Sequence, residues 1–213
     1  MTPKEELIIK FNHLILIQGF NNFSMVDLAK KADISRAKLY IYFKNKDEIV
    51  TSVVDRHMEF LKKYPIPEVA KDENLLSTIL NSLLLLGSST ELFEKELQQK
   101  YPQLYRDFRH GYDQYLVDLK AYYQDAQKNN LVINTVSADF LLYQNKISIR
   151  GILDDVRTGQ ISLEQGEQYL REYFIYQIHS LFINNNLSVS DSVKRFSETI
   201  VREYYDTYSL IKN

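Results

Sequence analysis

Residues 24–48 read SMVDLAKKADISRAKLYIYFKNKDE, and this stretch decides which fold the sequence predicts. Three helix starts follow one another in it, because Ser24, Ser35 and Asn45 are good N-capping residues and each precedes a helix-forming segment. An acid stands three residues after the first and the third of these caps, which is the spacing of a capping box. The stretch therefore predicts a helix, a tight turn, a second helix and the start of a third.

The second of these helices begins without an acid in its first turn, unlike the other two. Arg36 and Lys38 follow Ser35 instead and reinforce the positive end of the helix dipole, so an anion is the expected partner at this helix start. Residues 28–46 hold six Lys or Arg side chains against one acid, Asp33, in a chain whose net charge is only −2. A short basic segment beside a more acidic remainder is typical of a region that meets DNA phosphates.

This second helix, about residues 36–43, is expected to pack through Leu39, because it is too short to be stable alone. At roughly 100 degrees per residue, the side turned away from Leu39 carries Ala37, Lys38, Ile41 and Tyr42, with Arg36 and Tyr40 at its flanks. A solvated helix rarely exposes an isoleucine and two tyrosines together. The major groove of DNA accepts such a helix, since long polar side chains bond base edges and an apolar one touches a thymine methyl group.

The pattern resembles the N-terminal domain of the TetR (tetracycline-repressor) family of transcriptional regulators over about residues 4–55. The resemblance is carried by Gly19-Phe20, by the run 24–35 and by the run 39–48, which reads LYIYFKNKDE. The chain departs from the family at Asp33, where the turn usually has glycine and a left-handed backbone is expected. Aspartate tolerates that conformation better than most residues. The chain departs again at Ile41, which leaves the base preferences of the family open here.

The resemblance implies a set of DNA-binding residues, position by position. Those implied to touch phosphates are Ser24, Tyr42 and Lys46, and those implied to approach bases or the nearby backbone are Arg36, Ala37, Lys38, Tyr40 and Ile41. Ser35 completes the set as the cap of the helix that enters the DNA. Three alternatives stay open: Tyr40 as part of the core, Lys46 as a merely solvated cation, and both serines as caps without any DNA contact.

The rest of the chain is also predicted to be helical, which gives an all-α fold class. Only six glycines and four prolines interrupt it, and apolar residues recur at spacings of three and four. The expected helices, about ten in all, include 3–18, 46–63, 75–86, 91–100, 103–129, 137–158, 163–183 and 190–211. Pro65-Ile66-Pro67 marks a joint between two domains. Residues 1–64 form the predicted DNA-binding domain with its connecting helix, and residues 65–213 form a larger helical bundle for effector binding and dimerisation.

A homodimer is expected, because a helix-turn-helix of this size needs a second copy about 34 Å away along the DNA. The resemblance places the interface of this dimer in the last helices of the second domain. The helix 163–183 is a candidate because it is apolar almost all round, and its proposed interface residues are Tyr169, Tyr173, Tyr176 and Phe182. Burial within one chain is the alternative for each of these residues.

An effector pocket is a hypothesis that the resemblance implies, since the family usually holds a small molecule in its second domain. Gly111 leaves space on the inward face of the helix 103–129, where a ligand or a neighbouring helix would fit. A pocket for a small organic molecule would be lined by Phe93, Phe108, Tyr115, Gln144 and Asn145. The alternative is that these residues are core and satisfied polar side chains.

The sequence thus predicts a DNA-binding transcriptional regulator, and the resemblance implies a repressor that a small effector releases from its double-stranded operator. The alternative is a helix-turn-helix regulator whose C-terminal domain binds a protein partner and no small ligand. An enzyme is not expected, because the chain has no cysteine, its four histidines lack metal-ligand spacing, and neither a P-loop nor a Gly-x-Ser-x-Gly elbow occurs. We expect no cofactor and no metal. Since no signal-like N-terminus and no apolar segment of roughly 20 residues is present, we expect a cytoplasmic protein without a membrane partner.

Overall fold

The computed structural model describes residues 2–86, 89–183 and 198. Within these residues the chain forms nine α-helices and one isolated antiparallel bridge, between Val132 and Phe182. The helices are α1 (Pro3–Gln18), α2 (Met25–Lys31), α3 (Arg36–Tyr42), α4 (Lys46–Lys63), α5 (Asp72–Leu86), α6 (Glu91–Lys100), α7 (Pro102–Lys128), α8 (Ala138–Thr158) and α9 (Leu163–Leu181). The predicted all-α fold with an N-terminal helix-turn-helix is confirmed. The helix predicted over 190–211 lies outside the described residues, apart from residue 198.

Capping residues account for both ends of α1, which the sequence predicts correctly. Thr2 begins α1 with a capping box to Glu5. Gly19 ends α1 at a φ of +72°, a left-handed value that glycine adopts without a side-chain penalty. Both α4 and α6 begin and end at the predicted residues.

Two helix ends differ from the prediction by two residues or more, for physical reasons. α5 begins at Asp72 instead of Leu75. Its first three residues are polar, so the apolar pattern does not reveal them, but the helix dipole favours acids such as Asp72 and Glu73 in a first turn. α9 ends at Leu181, because Phe182 leaves the helix and pairs with Val132. No helix in the described part of the chain is long and apolar enough to cross a membrane.

The described chain falls into two compact units. The first unit comprises residues 2–63 and 89–112, and the second comprises residues 64–86 and 113–183. The predicted break around Pro65-Ile66-Pro67 is present, as a non-helical stretch between α4 and α5. Residues 89–112 group with the N-terminal residues, whereas the sequence assigned them to the second domain. The functional division at residue 64 stays a prediction.

Aromatic contacts hold the first unit together around α1, α4 and α6. Phe11 on α1 packs edge-on against Phe43 at the end of α3, with ring centroids 5.8 Å apart. Phe20 lies 6.2 Å from Phe93 and 5.6 Å from Tyr101, measured between ring centroids. Full burial of a ring of this size stabilises a fold by about 1.5–3 kcal/mol. These contacts therefore fix the helix-turn-helix to its own supporting helices.

In the second unit α8 packs against α5 and α9. Hydrogen bonds tie the start of α5 to the second half of α7. The Asp125 carboxylate accepts a bond from the Ala70 backbone N–H at 2.8 Å, and the Tyr122 hydroxyl donates to the Asn74 side chain at 2.6 Å. Both contacts satisfy polar groups at the edge of an apolar core.

Candidate nucleic-acid interface

Ser24 and Asp27 build the N-terminus of α2. The Ser24 Oγ accepts a hydrogen bond from the Asp27 backbone N–H at 3.2 Å, and the Asp27 carboxylate accepts one from the Ser24 N–H at 2.8 Å. The Ser24 hydroxyl also donates to this carboxylate at 2.6 Å, and the bonds from Ser24 lower the pKa of Asp27. The predicted capping box is confirmed. Ser24 remains exposed, so the phosphate contact predicted for it stays sterically open.

Asp33 occupies the turn between α2 and α3 with a φ of +57°. Backbone hydrogen bonds close the turn, from the Asp33 N–H to the Lys30 carbonyl at 3.1 Å and from the Ile34 N–H to the Ala29 carbonyl at 3.0 Å. The left-handed backbone predicted at this position is confirmed. Since aspartate tolerates this conformation, replacement of the usual glycine leaves the turn intact.

α3 has one buried side and one exposed side, as its sequence predicts. Leu39 is fully buried, whereas Ile41 is 77% exposed and Tyr40 is 43% exposed, which disfavours the alternative of Tyr40 as a core residue. The Arg36 guanidinium lies 5.4 Å from the Tyr40 ring centroid, within the range of a cation–π contact. The predicted DNA-facing residues of this helix comprise the exposed Ser35, Arg36, Ala37, Lys38, Tyr40 and Ile41 and the half-buried Tyr42.

Lys46 makes contacts that the sequence did not predict. Its ammonium group donates to the backbone carbonyls of Phe20 at 3.0 Å, Phe23 at 2.8 Å and Asn21 at 3.4 Å. Burial lowers the pKa of Lys46, and the nearby Lys100 lowers it further. Lys46 is therefore not merely solvated. The phosphate contact that the resemblance implies for it stays untested and competes with these three carbonyls.

α6 supplies further contacts to the helix-turn-helix region that sequence reasoning missed. Thr90, its N-cap, donates through its hydroxyl to the Leu16 carbonyl near the end of α1, at 2.9 Å. Tyr101, its C-cap, donates through its hydroxyl to the Asp47 carboxylate at the start of α4. Glu96 is buried between them. The sequence contains one signal for the burial of Glu96: it stands three residues after Phe93 and therefore falls on the apolar face of this helix.

The five residues predicted to line an effector pocket are distributed over both units. Phe93 and Phe108 are buried in the first unit, where their rings meet edge-on at 5.8 Å. Tyr115, Gln144 and Asn145 belong to the second unit, where Gln144 is half-buried and the other two are buried. The pocket stays a prediction, and the alternative of core packing stays open beside it.

Asn145 belongs to a neutral hydrogen-bonding cluster inside the second unit. Its Oδ1 accepts a bond from the Tyr173 hydroxyl at 2.6 Å, and its Nδ2 donates to the Tyr123 hydroxyl at 3.4 Å. Gln177 donates to the Tyr173 oxygen at 2.9 Å. Burial raises the pKa of Tyr173 to about 12 and also raises the pKa of Tyr123. The cluster thus joins α7, α8 and α9 without a charged group.

The residues predicted to form a dimer interface differ in exposure. Tyr169 and Tyr176 are exposed on α9, and Tyr173 is half-buried. Phe182 is only 5% exposed, so the alternative of burial within one chain fits this residue better than a role as an interface contact. A ring that is already buried has little apolar surface left for a second copy.

α8 carries exposed apolar residues that sequence reasoning did not assign to an interface. Phe140, Tyr143 and Ile147 stand at spacings of three and four and are each more than half exposed. Residues at these spacings share one face of a helix. α8 and α9 therefore both offer apolar side chains at the surface of the second unit.

Residues 13–53 match the sequence model of a family described as bacterial regulatory proteins, tetR family. The match runs from the end of α1 through α2 and α3 into α4. A protein of Haemophilus influenzae strain Rd, an uncharacterized HTH-type transcriptional regulator, is 36% identical over 52 residues. The aligned segment spans 24% of this chain and 28% of that protein.

Solved structures share the fold over most of the chain. A TetR-family transcriptional regulator from Marinobacter aquaeolei VT8 has a TM-score of 0.58 at 15% identity, over 96% of this chain and 99% of that chain. A candidate transcriptional regulator from Saccharomonospora viridis in complex with choline has a TM-score of 0.50 at 17% identity, over 85% of this chain and 98% of that chain. At these identities the likeness concerns the fold alone.

Proposed function

We propose that the protein is a transcriptional regulator that binds an operator in double-stranded DNA, since residues 13–53 match the tetR family of bacterial regulatory proteins. The observation that carries the proposal is the exposed side of α3, where Arg36, Lys38 and Ile41 stand on a helix whose opposite side is buried. Cations and an aliphatic chain on one surface have the chemistry that base edges in the major groove require.

In the proposed complex α3 enters the major groove, and the DNA-facing residues of α3 and its surroundings have different roles. Arg36 bonds base edges, and Ile41 touches a thymine methyl group. Ser24 and Tyr42 bind phosphates on either side and set the register of the helix without reading sequence. Ala37, Lys38 and Tyr40 complete the surface that faces the bases or the adjacent backbone.

We propose that two copies bind together as a homodimer through the second unit. The exposed apolar residues Phe140, Tyr143 and Ile147 on α8, with Tyr169 and Tyr176 on α9, support this surface as the interface. Tyrosine and phenylalanine are enriched where proteins associate. A two-fold dimer would present two α3 helices to successive major grooves about 34 Å apart.

We further propose repression that a small organic effector relieves. The proposed ligand site lies in the second unit beside the neutral cluster around Asn145, with Tyr115 and Gln144 as further proposed contacts. The candidate regulator from Saccharomonospora viridis was solved with choline, so one protein of this fold holds a small organic molecule. An effector that prefers the conformer with misplaced α3 helices lowers the DNA affinity by its differential affinity alone.

Enrichment of a random duplex pool on the wild-type protein tests the function. The enriched duplex is then titrated by fluorescence anisotropy against a scrambled duplex of equal composition. We expect the enriched duplex to bind at least about a thousandfold more tightly. Equal and weak binding of both duplexes would contradict operator recognition. A specific complex whose affinity no small molecule changes would favour a protein partner for the second domain.

A further inference from the structure

The loop that joins α1 to α2, residues 19–24, is held from two sides by side chains that are distant in sequence. On one side the Glu96 carboxylate of α6 accepts hydrogen bonds from the backbone N–H groups of Phe20 and Asn21, both through Oε2, at 2.5 and 3.0 Å. On the other side the Lys46 ammonium donates to the Phe20 carbonyl at 3.0 Å. The loop backbone therefore lies between an anion and a cation of the same compact unit.

A single peptide group takes part in both contacts. The peptide between Phe20 and Asn21 offers its carbonyl to Lys46 and its N–H to Glu96, each at 3.0 Å. A hydrogen bond at one end of a peptide group polarises it and strengthens the bond at the other end. Since each partner is also charged, each bond is roughly twice as strong as a neutral one. The two side chains thus support each other through the loop.

The carboxylate of Glu96 occupies space next to Gly19 that a side chain at position 19 would fill. Glu96 is only 6% exposed, and its Oε2 accepts hydrogen bonds from two backbone N–H groups. A Cβ atom added at Gly19 would lie 2.5 Å from Oε2 and 2.8 Å from Cδ of Glu96. Gly19 therefore suits this position in two ways, by its left-handed φ and by the room it leaves for this carboxylate.

The loop leads directly to the proposed DNA-binding surface, because its last residue is Ser24, the N-cap of α2. Glu96 stands on a helix that is tied at both ends within the same unit, through Thr90 to α1 and through Tyr101 to α4. Its carboxylate is thus a fixed point from which the loop is held. A displaced loop would carry the cap of α2 with it.

We propose that Glu96 is a positioning residue for DNA binding: together with Lys46 it fixes the backbone of residues 19–24 and thereby aims α2 and its Ser24 cap at the phosphate backbone. Glu96 does not touch DNA itself. The proposal rests on the proposed DNA-binding function and extends it to a residue of α6, outside the helix-turn-helix.

Three variants of the full-length protein separate this role from general stability. Glu96→Ala removes the acceptor, whereas Glu96→Gln keeps an acceptor oxygen at the same reach without the charge. Glu94→Ala is the matched control, because Glu94 lies on the same helix but its carboxylate pairs with Arg109 at 3.2 Å. Anisotropy titrations use the duplex enriched on the wild-type protein.

We expect Glu96→Ala to bind this duplex about tenfold more weakly, since the buried N–H of Phe20 and the part-buried N–H of Asn21 lose their acceptor. We expect Glu96→Gln to remain within about threefold of the wild type, and Glu94→Ala to match the wild type. Amide hydrogen exchange in the DNA-free protein gives a local readout. The amides of Phe20 and Asn21 should exchange faster in Glu96→Ala, while the amides of Val50 and Val53 in the buried part of α4 keep their protection.

The proposal is overturned if Glu96→Ala binds as well as Glu94→Ala. It is also overturned if the amides of α4 lose as much protection as those of the loop, which would mean general unfolding, or if Glu96→Gln loses as much affinity as Glu96→Ala. A wild-type protein that enriches no duplex would refute the proposed function instead. In that case the exchange of Phe20 and Asn21 still decides whether Glu96 holds the loop.

Discussion

At the scale of single residues, Lys46 shows how a long-range contact competes with a role implied by local sequence. An ammonium group has three N–H donors. The ammonium group of Lys46 is surrounded by three backbone carbonyls of the loop 19–24. A phosphate would have to displace one of these carbonyls. Only the folded loop reveals this competition, because its residues stand more than twenty positions away in the sequence.

We expect Lys46→Met to weaken binding to all duplexes about equally, by about tenfold, because the loop loses an anchor next to the proposed DNA surface. The slope of the logarithm of affinity against the logarithm of salt concentration should stay near the wild-type value. Lys38→Met, which removes an exposed cation of α3, calibrates the slope. A slope reduced by about 0.9 in Lys46→Met would show instead that Lys46 binds a phosphate.

His57 is a second residue whose environment sets a measurable property. It is buried in α4, with its ring centroid 5.0 Å from that of Phe108 and 6.2 Å from that of Tyr112. Burial among these rings lowers the pKa of His57 from 6.5 to about 4. Between these two pH values the unfolded chain binds a proton that the folded chain excludes. The free energy of unfolding therefore falls as the pH falls through this window.

We expect His57→Phe to reduce this loss of stability, because phenylalanine suits the aromatic surroundings and binds no proton. The contribution of His57 reaches about 1.4 kcal/mol per pH unit at its steepest. Urea denaturation at pH values of about 5 and about 7 measures the difference for each variant. His179→Gln, at an exposed position of α9, is the control. An unchanged pH dependence in His57→Phe would mean that the buried ring is not responsible.

At the scale of elements, the two sides of α3 make separable predictions. Leu39→Ala should lower the free energy of unfolding by about 2–5 kcal/mol, since it removes a fully buried side chain. Ile41→Ala should leave stability unchanged, because Ile41 is exposed, and should reduce the preference for the enriched duplex over variants without a thymine at the contacted position. Urea denaturation and anisotropy titrations with both duplexes measure the two effects. The opposite pattern would mean that α3 faces DNA with its other side.

The helix-turn-helix was predictable because its information is local. Ser24 and Ser35 bond to backbone N–H groups three residues away, and the turn at Asp33 depends on the backbone tolerance of one residue. The contacts of α6 were not predictable in this way. Glu96 meets its partners across 75 and 76 positions, so no local pattern announces which backbone groups it will hold.

Gly111 illustrates an element-scale prediction with two possible answers. The sequence indicates space on α7 for a ligand or a neighbouring helix, and the structure fills that space with the Met58 side chain of α4. A Cβ atom at Gly111 would clash with the end of this flexible side chain. The neighbouring helix α4, and not a ligand, therefore occupies the space next to Gly111. Composition alone could not choose between the two, because both need the same small residue.

At the scale of the whole molecule, the proposed dimer depends on the exposed apolar face of α8. We expect Ile147→Glu to dissociate the dimer, because it places a charge on a surface that two copies would bury. Val117→Glu introduces the same charge at an exposed valine of α7 and is the matched control. Sedimentation velocity over a range of concentrations measures the oligomeric state. A dimer that survives Ile147→Glu but not Val117→Glu would move the interface to α7.

Operator recognition by two α3 helices is tested most directly by hydroxyl-radical footprinting of the wild-type protein on its enriched duplex. We predict two protected patches related by two-fold symmetry, on one face of the DNA and about one helical turn of 34 Å apart. Arg36→Ala should weaken both patches equally. A single patch, or uniform protection along the duplex, would contradict a dimer that reads DNA through α3.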